Sequence, residues 1–520
     1  MSAMGGWRLA VGLLLLTATA FKFTAFTNAL SFGFDDTWKV GIGAVTGVLQ
    51  AVLWWVAARG FGVPGVLGAW LLQSLYLAVC WSYFAYFGLH LTFATVLSVG
   101  GEGLTAVGHG SLPVTAGMLW LLLDLPFVLA WCALDRARWR LRWTLPALVL
   151  QAVVLAWLVQ RAESALQWAA AERDDRYTAP TVFIPEFGLL PIQIAQVRRP
   201  GNPAASFAYG PEVELIGGDR RRDILVVQVE SLDVDGIATA MPRLAARAAQ
   251  GVWYERCLAY HGPGGSADAD VAVIEGIEPL WDAVSFDQVG HPWPNSWVRR
   301  LRDAGWSGAL AHGLPGAYFN FSQVMPRLGY ELWDLGALGL QQHPGEFGAR
   351  DHELVDAVLV RLPTLPTPFV LQVVTMTSHK PFTQHRAWWP GPVSGDDYRD
   401  CLQAVDAQLE RLMAGFYARS PDGLVVLFGD HASGRPGSAI ERCDGEQREY
   451  VPLLLLGFAA QPRRDARLAS FLDVGRTVLP AAGWSGTVRS WGADLVAPGD
   501  DLPPTRLRGS AVSRSAPPSR

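Results

Sequence analysis

Cysteine is scarce: five in 520 residues, with no CxxC pair. That excludes a zinc ribbon and a dense disulfide scaffold. Charge is scarce too, at 17% of residues; an ordinary soluble protein carries about a quarter. An excess of positive charge is also lacking. The net charge of -5 excludes a strongly basic nucleic-acid binder, and no nucleic-acid partner is expected. The charge present is unevenly spread, with only 13 of the 89 charged side chains in residues 1–160. The first third therefore reads as a membrane domain and the remainder as water-facing. Twenty-two tryptophans suit a protein at a membrane interface.

Five apolar runs are long enough to cross about 30 Å of hydrocarbon as helices. They are Leu9–Phe26, Val40–Ala58, Val66–Phe87, Leu112–Leu134 and Trp143–Gln160. Leu89–Val99 is too short and reads as a loop or interfacial segment. No small-residue cleavage site follows the first run, and four more spans come after it, so a cleavable signal is not expected. Arg8, Arg59 and the cluster Arg136, Arg138, Arg140 and Arg142 fall on one set of loops. Asp35, Asp36, Lys39 and Glu102 fall on the other. The positive-inside rule puts the arginines in the cytoplasm, and everything after Gln160 outside. Lys22, near a span end, is expected to snorkel to the interface. Asp124 lies mid-span, two residues before Pro126, as a functional candidate or a structural hydrogen-bonding group.

Residues 161–222 read as a juxtamembrane linker, with Ala162–Arg173 as a helix leaving the membrane and Pro185–Pro211, rich in Pro, Gly and Ala, as irregular. From Asp223 the pattern changes to apolar strands alternating with helices. The strands are Asp223–Glu230, Gly308–His312, Pro368–Thr375, Gly423–Phe428 and Val451–Gly457. The helices between them include Met241–Gln250, Trp297–Ala304, Asp351–Leu362 and Tyr398–Ala414. This predicts an α/β domain over 223–497 with a mostly parallel sheet buried on both faces. Residues 498–520, rich in Pro, Ser and Arg, read as a disordered tail.

In such sheets, ligands gather beyond the carboxyl ends of the strands. Three ends carry unusual residues: Glu230-Ser231-Leu232, Gly429-Asp430-His431, and Thr377-Ser378-His379-Lys380-Pro381-Phe382. A Glu, an Asp and a His at strand ends can converge on one divalent cation. Singly, each also fits a surface turn. Gly262-Pro263-Gly264-Gly265-Ser266-Ala267-Asp268 is either a flexible Gly-Ser loop or a turn presenting a hydroxyl. A Ser hydroxyl beside a cation becomes a nucleophile.

Taken in order, strand-ESL, Gly-rich turn, His-Gly, SHxPF and GDH resemble the lipoteichoic acid synthase branch of the alkaline phosphatase/sulfatase superfamily. The resemblance runs from about Asp223 to Gly457, and the five-span domain in front fits it. It implies that Glu230, Ser266, Asp430 and His431 hold one divalent metal, Mn²⁺ or Zn²⁺, with Mg²⁺ as the alternative. It implies Ser266 as the catalytic nucleophile, with His312 and His379 binding the phosphate or its leaving group. Ser266 stands where the family usually has Thr. The family's Phe-Trp-Asn-Arg run is Tyr318-Phe319-Asn320-Phe321 here, so the phosphate-clamping Arg is missing. Arg327 and Arg435 are the candidate replacements. Ser266-Ala267-Asp268 lacks the Pro and Arg of a formylglycine context, which argues against a sulfatase proper. Cys257, Cys401 and Cys443 allow at most one internal bridge, fewer than the superfamily's phosphoethanolamine transferases usually carry. His261, near the Gly-rich turn, stays outside the predicted set.

The leading expectation is a multi-pass enzyme of the cytoplasmic membrane with its catalytic domain outside. It would move phosphoglycerol or phosphoethanolamine from a phospholipid to an exported glycan or lipid through a covalent Ser intermediate. A phosphatase, phosphodiesterase or sulfuric-ester hydrolase with the same site is the alternative, and a non-catalytic scaffold the third reading.

Overall fold

The computed structural model describes residues 3–29, 47–48, 51–52, 55, 60–87, 91, 116–134, 141–172, 183–184, 187–197, 207–262, 264–280, 284–343, 346–443, 446–458, 461–497 and 502–514. The chain divides into two units, one built on Met1–Leu97 and Leu112–Gly201, the other on Asn202–Glu441 and Gln447–Arg520.

The first unit is helical. Helices Ala3–Ala29, Gly62–Phe87 and Leu141–Glu172 contain the first, third and fifth predicted spans. Within them, Gly62–Tyr83 and Leu148–Gln167 are long and apolar enough to cross a membrane. Leu71, Leu72, Leu75, Val149, Leu150, Val153 and Trp157 face outward. The fourth expected span is not one continuous helix. A 3-10 turn, Ala116–Leu122, gives way to the helix Leu125–Leu134. Pro126 sits in the first turn of the second piece, where its missing N–H costs nothing. Most of the second expected span, the short run Leu89–Val99 and most of the orienting charges lie outside the described residues.

Lys22 does not snorkel. It is fully buried, donating to Asp124 at 3.0 Å and to Ser74 at 2.8 Å. Asp124 also accepts from Thr19, Trp70 and Gln73 at 2.9 to 3.1 Å. An ammonium away from water needs a counter-charge, and Asp124 supplies it.

The second unit is built on a ten-stranded sheet. Its strands are β2 (Ile224–Val229), β3 (Val252–Ala259), β4 (Ser307–His312), β5 (Glu331–Trp333), β6 (Phe369–Val374), β7 (Leu424–Gly429), β8 (Ile440–Cys443), β9 (Glu446–Leu456), β10 (Arg463–Asp465) and β11 (Ala469–Ser470). The order is β10-β3-β9-β7-β2-β6-β4-β5, with β11 beside β3 and β8 beside β9. The sheet is mostly parallel, as expected, but mixed, because β9 runs antiparallel to both β3 and β7. Strands β2, β4, β6 and β7 are parallel, with β2 between β6 and β7. All six residues of β2, β6 and β7 are buried, as continuous apolar runs require. Helix Asp397–Arg419 covers one face with Leu402, Val405, Leu409, Leu412, Met413 and Phe416, a stripe at helical spacing. Each such buried side chain stabilises the fold by about 1.5–3 kcal/mol. Asp396 caps this helix, accepting from the Tyr398 and Arg399 amides.

Helix Leu141–Glu172 runs on past Gln160, in line with the helix expected over Ala162–Arg173. Two other stretches are more ordered than expected. In the linker, helix Leu189–Val197 packs in the first unit within the expected irregular stretch, and β1 (Glu212–Leu215) pairs antiparallel with β12 (Gly486–Arg489). In the expected tail, β13 (Thr505–Leu507) and β14 (Ser510–Val512) form a hairpin. Arg508 and Gly509 turn it with φ of 50° and 81°, the left-handed pair a two-residue hairpin needs. Arg514 then places both terminal nitrogens on Asp473, at 2.6 and 2.7 Å, with the carboxylate fully buried. A composition-based reading treats this arginine as solvated; the fold uses it as the partner of a buried acid.

Candidate active site

Val229 and Gly429 are paired neighbours at the ends of β2 and β7. The next residues, Glu230 and Asp430, therefore leave the same edge side by side, and His431 follows. One ligand atom from each of Glu230, Asp430 and His431 lies within 4.8 Å of the others. The backbone around them is tightly held. Ser231 adopts φ 54°, its amide donates to Asp430 Oδ1 at 2.8 Å, and its hydroxyl donates to Glu230 Oε1 at 2.7 Å. A non-glycine residue in the left-handed region costs about 1–3 kcal/mol and persists where its surroundings over-determine it.

Ser266 opens the short helix Ser266–Asp270, reached from β3 through the Gly-rich turn. Its hydroxyl lies 3.4 Å from Glu230 Oε2, and it neighbours Asp430 as well. The glycines have a steric reason. A Cβ on Gly262 or Gly264 would meet the Asp268 carboxylate at 2.6 Å. That carboxylate accepts from the Gly264 amide and the Ser285 hydroxyl, which ties the turn down. Burial pushes Asp268 up to about 7.

The electrostatics call for a cation. His431 Nδ1 lies 2.9 Å from the Ala432 carbonyl, which can only accept, so Nδ1 carries a proton. Nε2 then faces Glu230 at 3.3 Å and Asp430 at 3.8 Å. A lone pair there would oppose two carboxylates. Burial favours the neutral ring, but Asp430 and Glu230 outweigh it and raise His431 to about 10. Burial also pushes Glu230 up, yet His431 beside it prevails and holds it well below the usual carboxylate range. Asp430 goes up, to about 7, through burial and the neighbouring Glu230 charge. Asp430 Oδ2 is buried with no hydrogen bond of good geometry. Buried oxygens, an imidazole nitrogen and an excess of negative charge fit one divalent ion. The His431–Ala432 bond orients the ligand ring as an outer partner does in metal sites.

The two remaining predicted histidines lie at neighbouring strand ends. His312 closes β4, with Nδ1 buried and unpartnered, and burial lowers it to about 4. Its ring packs 5.0 Å from Phe321, the residue standing where the family has Arg. His379 Nδ1 donates to the Lys380 carbonyl at 2.8 Å, and its ring stacks on Phe347 at 3.9 Å. Burial lowers His379, and both histidines feel the Glu230 charge. Phe319 and Asn320, just before Phe321, adopt φ of 44° and 59°. The proposed arginine replacements are otherwise engaged. Arg435 pairs with Asp396 at 2.9 Å over the Tyr398 ring, and Arg327 is exposed.

Two groups lie outside the predicted set: His261, noted near the Gly-rich turn but not included, and Lys380. His261 stacks on His431 at 4.3 Å, nearly parallel, and pairs with Glu449 at 3.2 Å. Glu449 lies on β9, remote in sequence, and nothing local marks it. Lys380 is the other. Its Nζ lies 2.8 Å from where a Cβ on Gly434 would stand. Its charge interacts with Glu449, Glu230 and Asp233, while burial lowers it from the usual lysine value. Its position inside the SHxPF motif was the available signal.

The sulfatase family model matches residues 222–484, half of the chain. Lipoteichoic acid synthase 1 of Bacillus subtilis is 21% identical over 253 residues, covering 44% of this chain and 39% of the synthase. Lipoteichoic acid synthase 2 of the same organism is 21% identical over 305 residues, covering 52% and 46%. The matches thus span less than half the length of either curated relative. The integral membrane lipooligosaccharide phosphoethanolamine transferase A of Neisseria meningitidis aligns over 91% of this chain and 95% of its own, with a TM-score of 0.53 and 15% identity, a likeness of fold. With the matched segment running from the start of the central strand through every predicted site residue, the chain belongs to the sulfatase family.

Proposed function

We propose that this protein is a membrane-bound, metal-dependent transferase. It moves a phospho-head group, phosphoglycerol or phosphoethanolamine, from a phospholipid to an exported glycan or lipid. The observation that carries the reading is the meeting of Glu230, Asp430 and His431 within 4.8 Å, with the Ser266 hydroxyl 3.4 Å from Glu230. Resemblance to lipoteichoic acid synthases in sequence, and to a phosphoethanolamine transferase in fold, supports transfer. A five-span topology, with the arginine-rich loops inside and the unit from Asp223 outside, is part of the proposal and would give access to a lipid donor; two helices among the described residues are long and apolar enough to cross a membrane.

Glu230, Asp430, His431 and Ser266 would hold the ion. Mn²⁺ or Zn²⁺, once bound, supplies positive charge that favours the Ser266 alkoxide and the phosphoryl oxygens. Ser266 Oγ attacks phosphorus, the bond from phosphorus to the diacylglycerol oxygen breaks, and the head group stays on Ser266 as a phosphodiester. His379, with its proton fixed on Nδ1, presents Nε2 to the proton in transit. His312 binds the phosphate or the leaving group from the next strand end. The acceptor hydroxyl then attacks phosphorus and Ser266 Oγ leaves.

The test is mass spectrometry of the purified full chain after incubation with labelled phosphatidylglycerol or phosphatidylethanolamine and Mn²⁺. The expected result is a head-group adduct on Ser266, absent in Ser266→Ala, retained in Ser266→Thr and lost on chelation. Head-group transfer by Ser266→Ala at the wild-type rate would overturn the covalent route.

A further inference from the structure

We propose that Lys380 is the positive charge that binds the phosphoryl oxygens in this chain, taking over the task of the absent arginine. The inference rests on the transferase reading for its biological substrate, but not for its chemistry.

Three observations place Lys380 at the site. It follows His379 directly, on the segment that leaves the end of β6, the neighbour of β2. Its ammonium reaches back to the loop after His431, where the absence of a side chain on Gly434 makes room for it. A Cβ at that position would stand 2.8 Å from Nζ. Its charge acts on Glu449, Glu230 and Asp233, and on His261 and His379; Glu230 belongs to the ligand cluster and His261 stacks on His431.

The alternatives have been withdrawn by the fold. Phe321 occupies the arginine position and packs against His312 and Phe286, at 5.0 and 5.6 Å. The arginine position itself is therefore filled by an apolar ring. Arg435 is held by Asp396, and Arg327 is exposed. A phosphodiester bound near Ser266 carries a full negative charge beside Glu230 and Asp430. A bound divalent ion offsets part of that repulsion, and a nearby fixed ammonium offsets more. Lysine does this as a point charge, without the two-pronged geometry of arginine. The site therefore binds the phosphoryl group through charge.

The test uses inorganic phosphate as the probe, with the Mn²⁺-loaded full chain in detergent, measured by calorimetry. Lys380→Met is expected to weaken phosphate binding by about tenfold or more, since a charged hydrogen bond is lost. Lys380→Arg should keep most of the affinity, and bound metal and melting temperature should match the wild type in both. Gly434→Ala gives a second route, because its methyl group meets the ammonium while Lys380 remains; it should also weaken phosphate, with folding checked by melting temperature because Gly434 sits at φ 70°. Where lipid transfer is measurable, Lys380→Met should raise KM for the donor more than it lowers kcat. Phosphate affinity unchanged in both Lys380→Met and Gly434→Ala would overturn the proposal, as would a wild-type protein that binds no phosphate. Lys380-dependent phosphate binding without lipid transfer would instead sink the transferase reading and leave this inference standing.

Discussion

Glu275 shows what a single buried carboxyl contributes away from the reaction. It lies in the segment Val271–Glu275, fully buried. Its Oε1 accepts from the Asn295 amide at 2.7 Å and from the Tyr209 hydroxyl at 3.1 Å. Its Oε2 is buried without a hydrogen bond. Burial pushes the group up to about 8. In the unfolded chain it titrates near about 4.3. The folded state thus holds the proton more tightly. The stability it contributes is fully present below the unfolded value and is lost as pH rises through about 8. His291, 2.7 Å from Tyr209, is lowered by burial and does not oppose this slope at neutral pH. Glu275→Gln is therefore expected to gain melting temperature relative to the wild type between pH 5 and pH 8. A difference that stays flat with pH would refute the assignment. Glu275 had no legible signal, whereas Glu230, Ser266, Asp430 and His431 did, because each follows a strand or glycine turn that local sequence displays. His261 was visible as a residue but not as a participant, since its partners His431 and Glu449 come from distant strands.

At the scale of elements, sequence reading succeeded where one hydrophobic period dominates. β2, β6 and β7 are short apolar runs, and helix Asp397–Arg419 has a capped start and a single buried stripe. It failed where order comes from partners elsewhere. β9 is antiparallel because of what flanks it, a fact its own apolar run does not carry. The C-terminal hairpin is held by Arg514 on Asp473, and Asp473 also accepts from the Ser470 and Ala493 amides. Arg514→Met leaves a buried carboxylate without its counter-charge, at a cost of about 3–5 kcal/mol. Adding Asp473→Asn removes that charge, so the double variant is expected to be more stable than the two single losses sum to. Chemical denaturation of the four proteins checks this, and strict additivity would show that the pair is not coupled.

At the scale of the whole molecule, a helical unit with outward apolar side chains accompanies an α/β unit that carries the site. Charge distribution made this division legible. The interior of the helical unit was not legible, because Lys22 and Asp124 lie far apart in sequence and each was read by its own distance from a span end. The proposed topology predicts that a reporter active only outside the cytoplasm works when fused after Gln160 and fails when fused within 136–142. The reverse pattern would overturn the five-span reading. The site's ligands have a further consequence through their place in chain order. Glu230 leaves the second strand of the α/β unit, whereas Asp430 and His431 wait for β7, the strand that flanks it. Pairing these two strands closes a long loop, a slow step in folding. If Ser266 is the nucleophile and Glu230, Asp430 and His431 the ligand set, as proposed, a chain emerging in order from its N-terminus has its nucleophile early and its ligand set complete only late. On that reading, truncation anywhere before His431 leaves the hydroxyl with no ion beside it, and a nascent or clipped chain would be inert toward a lipid donor.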